Sequence, residues 1–183
     1  VIGSLTSPED QENAQKIAQS AQCPVFCDAA SGIRCTPIPS SLYPIDSILR
    51  FDRDNRFLQP DLIVILGGTF VSKELPIWLE QQQTNIVQIV PSQERKNRIA
   101  ATKIIASIPA DVGILHHPLP ANNIQQELDS IIDTACQQHN NGFHEPGIVR
   151  TCIQQLPPSS SLFFSNSMPI RDCNRFAPLS HHA

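Results

Sequence analysis

The run Asp61-Leu-Ile-Val-Ile-Leu-Gly67 decides the fold. Leu62 to Leu66 are all apolar, bounded by an acid and a glycine. Such a run predicts a strand buried on both faces, as in a parallel sheet whose crossovers cover both sides. Reading outward towards the C terminus, Ser72 to Gln82 has the pattern of a helix, and Asn85-Ile-Val-Gln-Ile-Val90 that of a second strand. Thr102-Lys-Ile-Ile-Ala106 is a further strand candidate. Towards the N terminus, Val1-Ile2 ends a strand at Gly3, and Ser7-Pro8-Glu9-Asp10 reads as a capping box with proline in the first helical turn. Ala14, Ile17, Ala18 and Ala21 then place small apolar groups on one helical face. Pro24-Val-Phe-Cys-Asp28 closes the unit as a strand, Ala29 to Tyr43 is loop, and Ile45 to Phe51 is a short helix. Strand and helix alternating at this spacing predict an α/β fold, a Rossmann-like parallel sheet of about five or six strands with flanking helices.

The last third has a different texture. Pro118 to Pro120 breaks the alternation; Asn123 to His139 then predicts a helix with Ile124, Leu128, Ile131, Ile132 and Ala135 on one face. Asn140-Asn-Gly142 stops it. Gly147 to Gln155 reads as another helix, and Leu162-Phe-Phe164 as a buried strand running into Ser165-Asn-Ser167. There Ser167 is the expected N-cap of a final helix, with Pro169 in its first turn. The expected organisation is one α/β domain over residues 1–120, a helical linker over 121–142, and the truncated start of a second α/β domain over 143–183. A piece of about forty residues has too little core to stand alone, so it should dock on the central domain or on a segment outside these residues.

Composition narrows the function classes. A net charge of −4, with the one basic stretch confined to Glu94-Arg-Lys-Asn-Arg98, excludes an extended nucleic-acid surface. No apolar run approaches the ~18 residues needed to span a bilayer, so membrane insertion is not expected. Val1-Ile2-Gly3 reads as a strand end rather than a charged leader, which suggests a segment cut from something longer. The six cysteines include no Cys-x-x-Cys pair and suit reduced thiols in a cytoplasmic protein. His116-His117 and His181-His182 are adjacent pairs without the i,i+4 spacing of metal ligands. No metal site is expected within the chain.

The chemistry concentrates in Ser165-Asn-Ser-Met-Pro-Ile-Arg-Asp172. Two hydroxyls, an amide, a guanidinium and the N–H groups of a new helix suit a phosphate or a carboxylate. The loop beyond the carboxyl end of a strand is also where open α/β sheets bind ligands. A dinucleotide site is poorly supported, because Gly3-Ser-Leu-Thr-Ser-Pro8 has one glycine where the fingerprint needs three, even though Asp28 stands where a ribose-binding acid would. Gly67-Gly68 reads as close packing of a helix on a strand. Lys73 opens a helix, a position where its charge opposes the dipole. Arg34 reads as an exposed loop arginine.

The string Asn166-Ser-Met-Pro-Ile-Arg171, approached through Glu145-Pro-Gly-Ile-Val-Arg150 and Leu156-Pro157, resembles the start of the diphosphate-binding domain in the MenD family. These thiamine diphosphate enzymes are the SEPHCHC synthases of menaquinone and phylloquinone biosynthesis. Residues before it look like their central, cofactor-free domain. The resemblance implies a parent enzyme, a transferase, that decarboxylates 2-oxoglutarate on thiamine diphosphate with Mg²⁺ and adds the succinyl unit to isochorismate. It implies carboxylate binding by Arg171, Ser167 and Lys73, and cofactor contact by Asn166 and Ser167. No residue of the chain takes a catalytic role, and neither the Gly-Asp-Gly metal motif nor the glutamate-bearing pyrimidine domain is present. The isolated segment is therefore expected to be inactive and free of cofactor, and its parent to be a homo-oligomer, dimer or tetramer. The alternative is a non-catalytic scaffold or effector-binding Rossmann-like domain.

Overall fold

A computed structural model describes residues 1–51, 58–91, 99–110, 123–139, 143–157 and 160–177. Strands β1 (Leu62–Leu66), β2 (Asn85–Ile89) and β3 (Lys103–Ile105) form one parallel sheet in that order. Leu62 is in register with Asn85, and Val87 with Lys103. Helices α1 (Pro8–Ser20), α2 (Ile45–Phe51) and α3 (Glu74–Gln81) accompany the sheet. Helices α4 (Asn123–Gln138), α5 (Glu145–Gln154) and α6 (Met168–Phe176) follow.

Both faces of the sheet are covered, which is why β1 is apolar from Ile63 to Leu66, while Leu62 at its start stays 45% exposed. On one side Ala14, Ile17 and Ala18 of α1 share a buried cluster with Ile2, Leu66 and Ile89. On the other, Leu75, Trp78 and Leu79 of α3 and Leu49 of α2 pack with Ile63, Ile65 and Ile86. Ser7 starts α1 as expected, its hydroxyl accepting a long bond from Asp10 N at 3.5 Å with Pro8 in the first turn.

Among the described residues the sheet has three strands, not the five or six expected. Val1–Gly3 and Pro24–Asp28 contribute only isolated parallel bridges, Ile2 with Leu66, Ile2 with Cys27 and Val25 with Ser41. Their hydrogen bonds are sound, with Ile2 N donating to Phe26 O and Asp28 N to Ile2 O at 2.8 and 2.9 Å. Each segment is stopped too soon to build a ladder, one by the turn at Gly3 and the other by Pro24, which has no N–H to give. The expected strand at Leu162–Phe164 is likewise absent; Phe163 is 92% exposed. A strand needs a neighbour, and none of the described strands or bridges pairs with this segment.

The stripe expected on α4 is rotated. Ile131 faces solvent, while Ile132 and Cys136 are buried and Asp129 and Asp133 meet Arg150 of α5. Helix α5 begins at Glu145 rather than Gly147, because His144 caps it: its Nδ1 accepts from Gly147 N at 3.2 Å. With Nδ1 an acceptor, Nε2 carries the proton and donates to Cys136 O at 2.8 Å. The stop at Asn140–Gly142, the break at Pro118–Pro120, the basic stretch Glu94–Arg98 and both histidine pairs lie outside the described residues.

Candidate functional site

Ser167 is the N-cap of α6 in position, with Pro169 in the first turn, yet its side chain caps nothing. Its backbone has φ 82° and ψ −127°, a conformation that L side chains rarely adopt. The hydroxyl makes no capping bond to the helix it begins, and Ser165, Asn166, Ser167 and Met168 are all exposed. N–H groups in the first turn of α6 accordingly lack a side-chain cap from Ser167. Arg171, one turn into the helix, is half-buried. Among the described residues it has no hydrogen bond or ion pair.

The opposite face of α6 is firmly held. Asp172, Cys173 and Asn174 are buried, and Ala29 N donates to Asn174 Oδ1 at 2.9 Å. Arg34, expected to be an exposed loop arginine, is instead 6% exposed. Its guanidinium donates to Cys27 O at 3.0 Å, Cys173 O at 3.2 Å and Ala177 O at 3.0 Å. The correction has a simple cause: helix carbonyls at a C terminus lack partners, and a buried guanidinium has enough donors to serve several at once. Arg150 of α5 supplies a further bond, to Phe176 O.

Lys73 is exposed at the N-terminal boundary of α3 and offers no side-chain cap. The neighbouring Ser72 does that work, its hydroxyl accepting from Leu75 N at 3.0 Å and donating to Asp46 Oδ1. Asp46 is buried on α2, and its other oxygen receives Arg175 Nε of α6 at 3.3 Å. Asp28 completes the network. Its carboxylate accepts from Ala30 N, Val71 N and Ser72 N at 2.9 to 3.1 Å. Burial pushes its pKa up, against the pull of those N–H bonds and of Arg34. Asp28 therefore anchors the start of α3 and is not available to a ribose.

The dinucleotide turn is also filled by protein. Gly68 N donates to Ser4 O at 2.8 Å, and a Cβ on Gly67 (φ 86°) would lie 2.5 Å from that same oxygen. The two glycines pack loop against loop, not helix against strand as expected.

The loop preceding α3 and the helix α6 are thus tied through Ser72, Asp46 and Arg175. Arg171 and Arg175 share a face of α6 by their i,i+4 spacing. No bond joins Lys73 to Arg171 among the described residues, so the structure brings their elements together without bringing their charges into contact. The cross-element bonds of Arg34, Asp46 and Arg150 were not readable from the sequence. Nothing in a Ser/Pro/Gly-rich loop or a seven-residue helix marks a residue that will cross to another element.

A family model described as the middle domain of thiamine pyrophosphate enzymes matches residues 1–164. The chain belongs to that family. Curated relatives named 2-succinyl-5-enolpyruvyl-6-hydroxy-3-cyclohexene-1-carboxylate synthase match nearly all of it. The Synechococcus elongatus protein is 29% identical, covering 96% of this chain and 32% of its own length. Those of Chlorobium phaeobacteroides and Shewanella baltica are each 26% identical over 98% of this chain, and 32% and 33% of their own lengths. The chain spans about a third of the length of these relatives.

Family membership implies thiamine diphosphate. The start of α6 fits the phosphate-facing part of such a group: first-turn N–H groups not capped by Ser167, with Asn166 and Ser167 exposed beside them. No Gly-Asp-Gly occurs in the chain, so the metal-holding part is not fitted. Among the described residues, no helix is long and apolar enough to cross a membrane.

Proposed function

We propose that these 183 residues serve as the central domain and the opening of the diphosphate-binding domain of a SEPHCHC synthase. The observation that carries this reading is the match of 96–98% of the chain to proteins of that name. In this reading residues 1–120 form the cofactor-free domain, 121–142 a linker, and 143–183 the part that faces the cofactor. The parent is a cytoplasmic homo-oligomeric transferase using Mg²⁺, acting on 2-oxoglutarate and isochorismate.

Thiamine diphosphate, when bound, supplies the nucleophilic carbon and electron sink for decarboxylation. The protein's part is to bind and orient. Asn166 and Ser167 offer an amide and a hydroxyl beside the first-turn N–H groups, a donor set for phosphate oxygens. Arg171 is free of internal partners among the described residues, and its fork of donors suits a substrate carboxylate. Ser167's hydroxyl, unspent on the helix cap, joins it. Lys73, exposed at the start of α3, adds a positive charge that a second carboxylate would use.

The test is steady-state kinetics on the full-length protein. Arg171→Ala should lower kcat/KM for a dicarboxylate substrate by roughly a hundredfold, and Lys73→Ala by about tenfold. Unchanged kcat/KM in both variants would remove these residues from the site. The 183-residue segment alone is expected to release no CO₂ from 2-oxoglutarate.

A further inference from the structure

Helix α6 has two unlike ends. Asn166 and Ser167 just before it and Arg171 in its first turn have no hydrogen bond or ion pair among the described residues, whereas its last turn is held by two buried guanidiniums. Arg34 Nη2 bonds Cys173 O and Ala177 O, while its Nη1 reaches Cys27 O at 3.0 Å and Asn174 Oδ1 at 3.4 Å. Cys27 bridges to Ile2 beside β1, so one side chain joins the sheet edge to the end of α6. The guanidinium also lies 6.0 Å from the Tyr43 ring centroid. Tyr43 Oη donates to Asp129, which pairs with Arg150, and Arg150 holds Phe176 O. The two clamps are therefore linked to one another.

We infer that Arg34 is a positioning residue for the ligand-binding end of α6, acting through the helix and touching neither substrate nor cofactor. The inference rests on the reading of Ser167 and Arg171 given above. Its physical basis is leverage. At 1.5 Å rise per residue, Ser167 lies about 9 Å along the axis from Cys173, so a tilt of about 10° moves it by roughly 1.5 Å. A displacement near 1 Å is enough to cost on the order of a hundredfold in rate. A cation at a helix C terminus is favourable in itself, but only a planar fork reaches carbonyls on two elements together.

The experiment uses the full-length protein with Arg34→Gln and the milder Arg34→Lys, which keeps the charge and loses the fork. Amide hydrogen exchange and kcat/KM are measured on each. The expected result is exchange at least tenfold faster in residues 170–177 with β1 and β2 unchanged. With it should come a fall in kcat/KM of roughly tenfold to a hundredfold, smaller in Arg34→Lys. Unchanged exchange in α6 would overturn the inference, as would uniform acceleration across the sheet, which marks a general loss of stability. Faster exchange in α6 with kcat/KM intact, in a protein that Arg171→Ala impairs, would overturn it too. A wild-type protein without synthase activity would sink the functional reading and the positional role with it, while the exchange data would still report the anchor.

Discussion

Ser167 holds a backbone conformation that favours glycine, with φ 82°, and its hydroxyl gives the helix nothing in return. Strain of this kind costs about 1–3 kcal/mol and persists where surroundings or function require the side chain. Ser167→Gly should relieve it, leaving the chain up to about 1 kcal/mol more stable after the added flexibility of the unfolded state is counted. Thermal unfolding reads that gain, and the same substitution should reduce activity in the parent; a loss of stability would show the serine to be structural. Asp172 is a second case. It is buried with Oδ2 unpartnered, and burial first, then Glu145, raise its pKa above 3.8, with Arg175 and His144 pulling it back. A raised carboxyl favours the protonated folded form, so its contribution is full below 3.8 and is lost as pH rises through the folded value. Asp172→Asn should match the parent chain in acid and exceed it in melting temperature at neutral pH. An advantage that is largest in acid would reverse this assignment.

At the scale of elements, the sheet core was legible because burial on both faces leaves its mark on β1 from Ile63 to Leu66. The bounds read from sequence agree with the structure to within a residue at β1, β2 and β3. The run Leu162–Phe164 carried the same mark and forms no strand, because apolarity states a wish for burial and not the presence of a partner. The distinction can be measured. Phe163→Ser should change stability by less than about 0.5 kcal/mol, whereas Trp78→Ala, emptying a site between α3 and β1, should cost about 3–5 kcal/mol. A comparable loss in both would mean that Phe163 is packed in solution. On α4 the sequence reading put Ile131, Ile132 and Ala135 on one buried face; with Asp129 and Asp133 drawn to Arg150, Ile132 and Cys136 turn inward and Ile131 and Ala135 do not.

At the scale of the molecule, the central sheet and the α5–α6 pair are joined by polar contacts that are long in sequence: Arg34 to Ala177, Ala29 to Asn174 and Asp46 to Arg175. The docking of the C-terminal piece was expected from its small core, but its partners were not, since each is a single side chain meeting backbone or charge far along the chain. The candidate site was legible in part for the opposite reason. Asn166 to Arg171 is a local string, so its residue types could be read directly, whereas the clamp that sets its orientation could not. The central proposal is that this chain is part of a synthase joining 2-oxoglutarate to isochorismate. It is tested most directly by incubating the full-length protein with both substrates, thiamine diphosphate and Mg²⁺, and identifying the product by mass spectrometry. The account predicts release of CO₂ and the SEPHCHC adduct, both dependent on the cofactor; cofactor-dependent turnover of a different 2-oxo acid, or none, would contradict it.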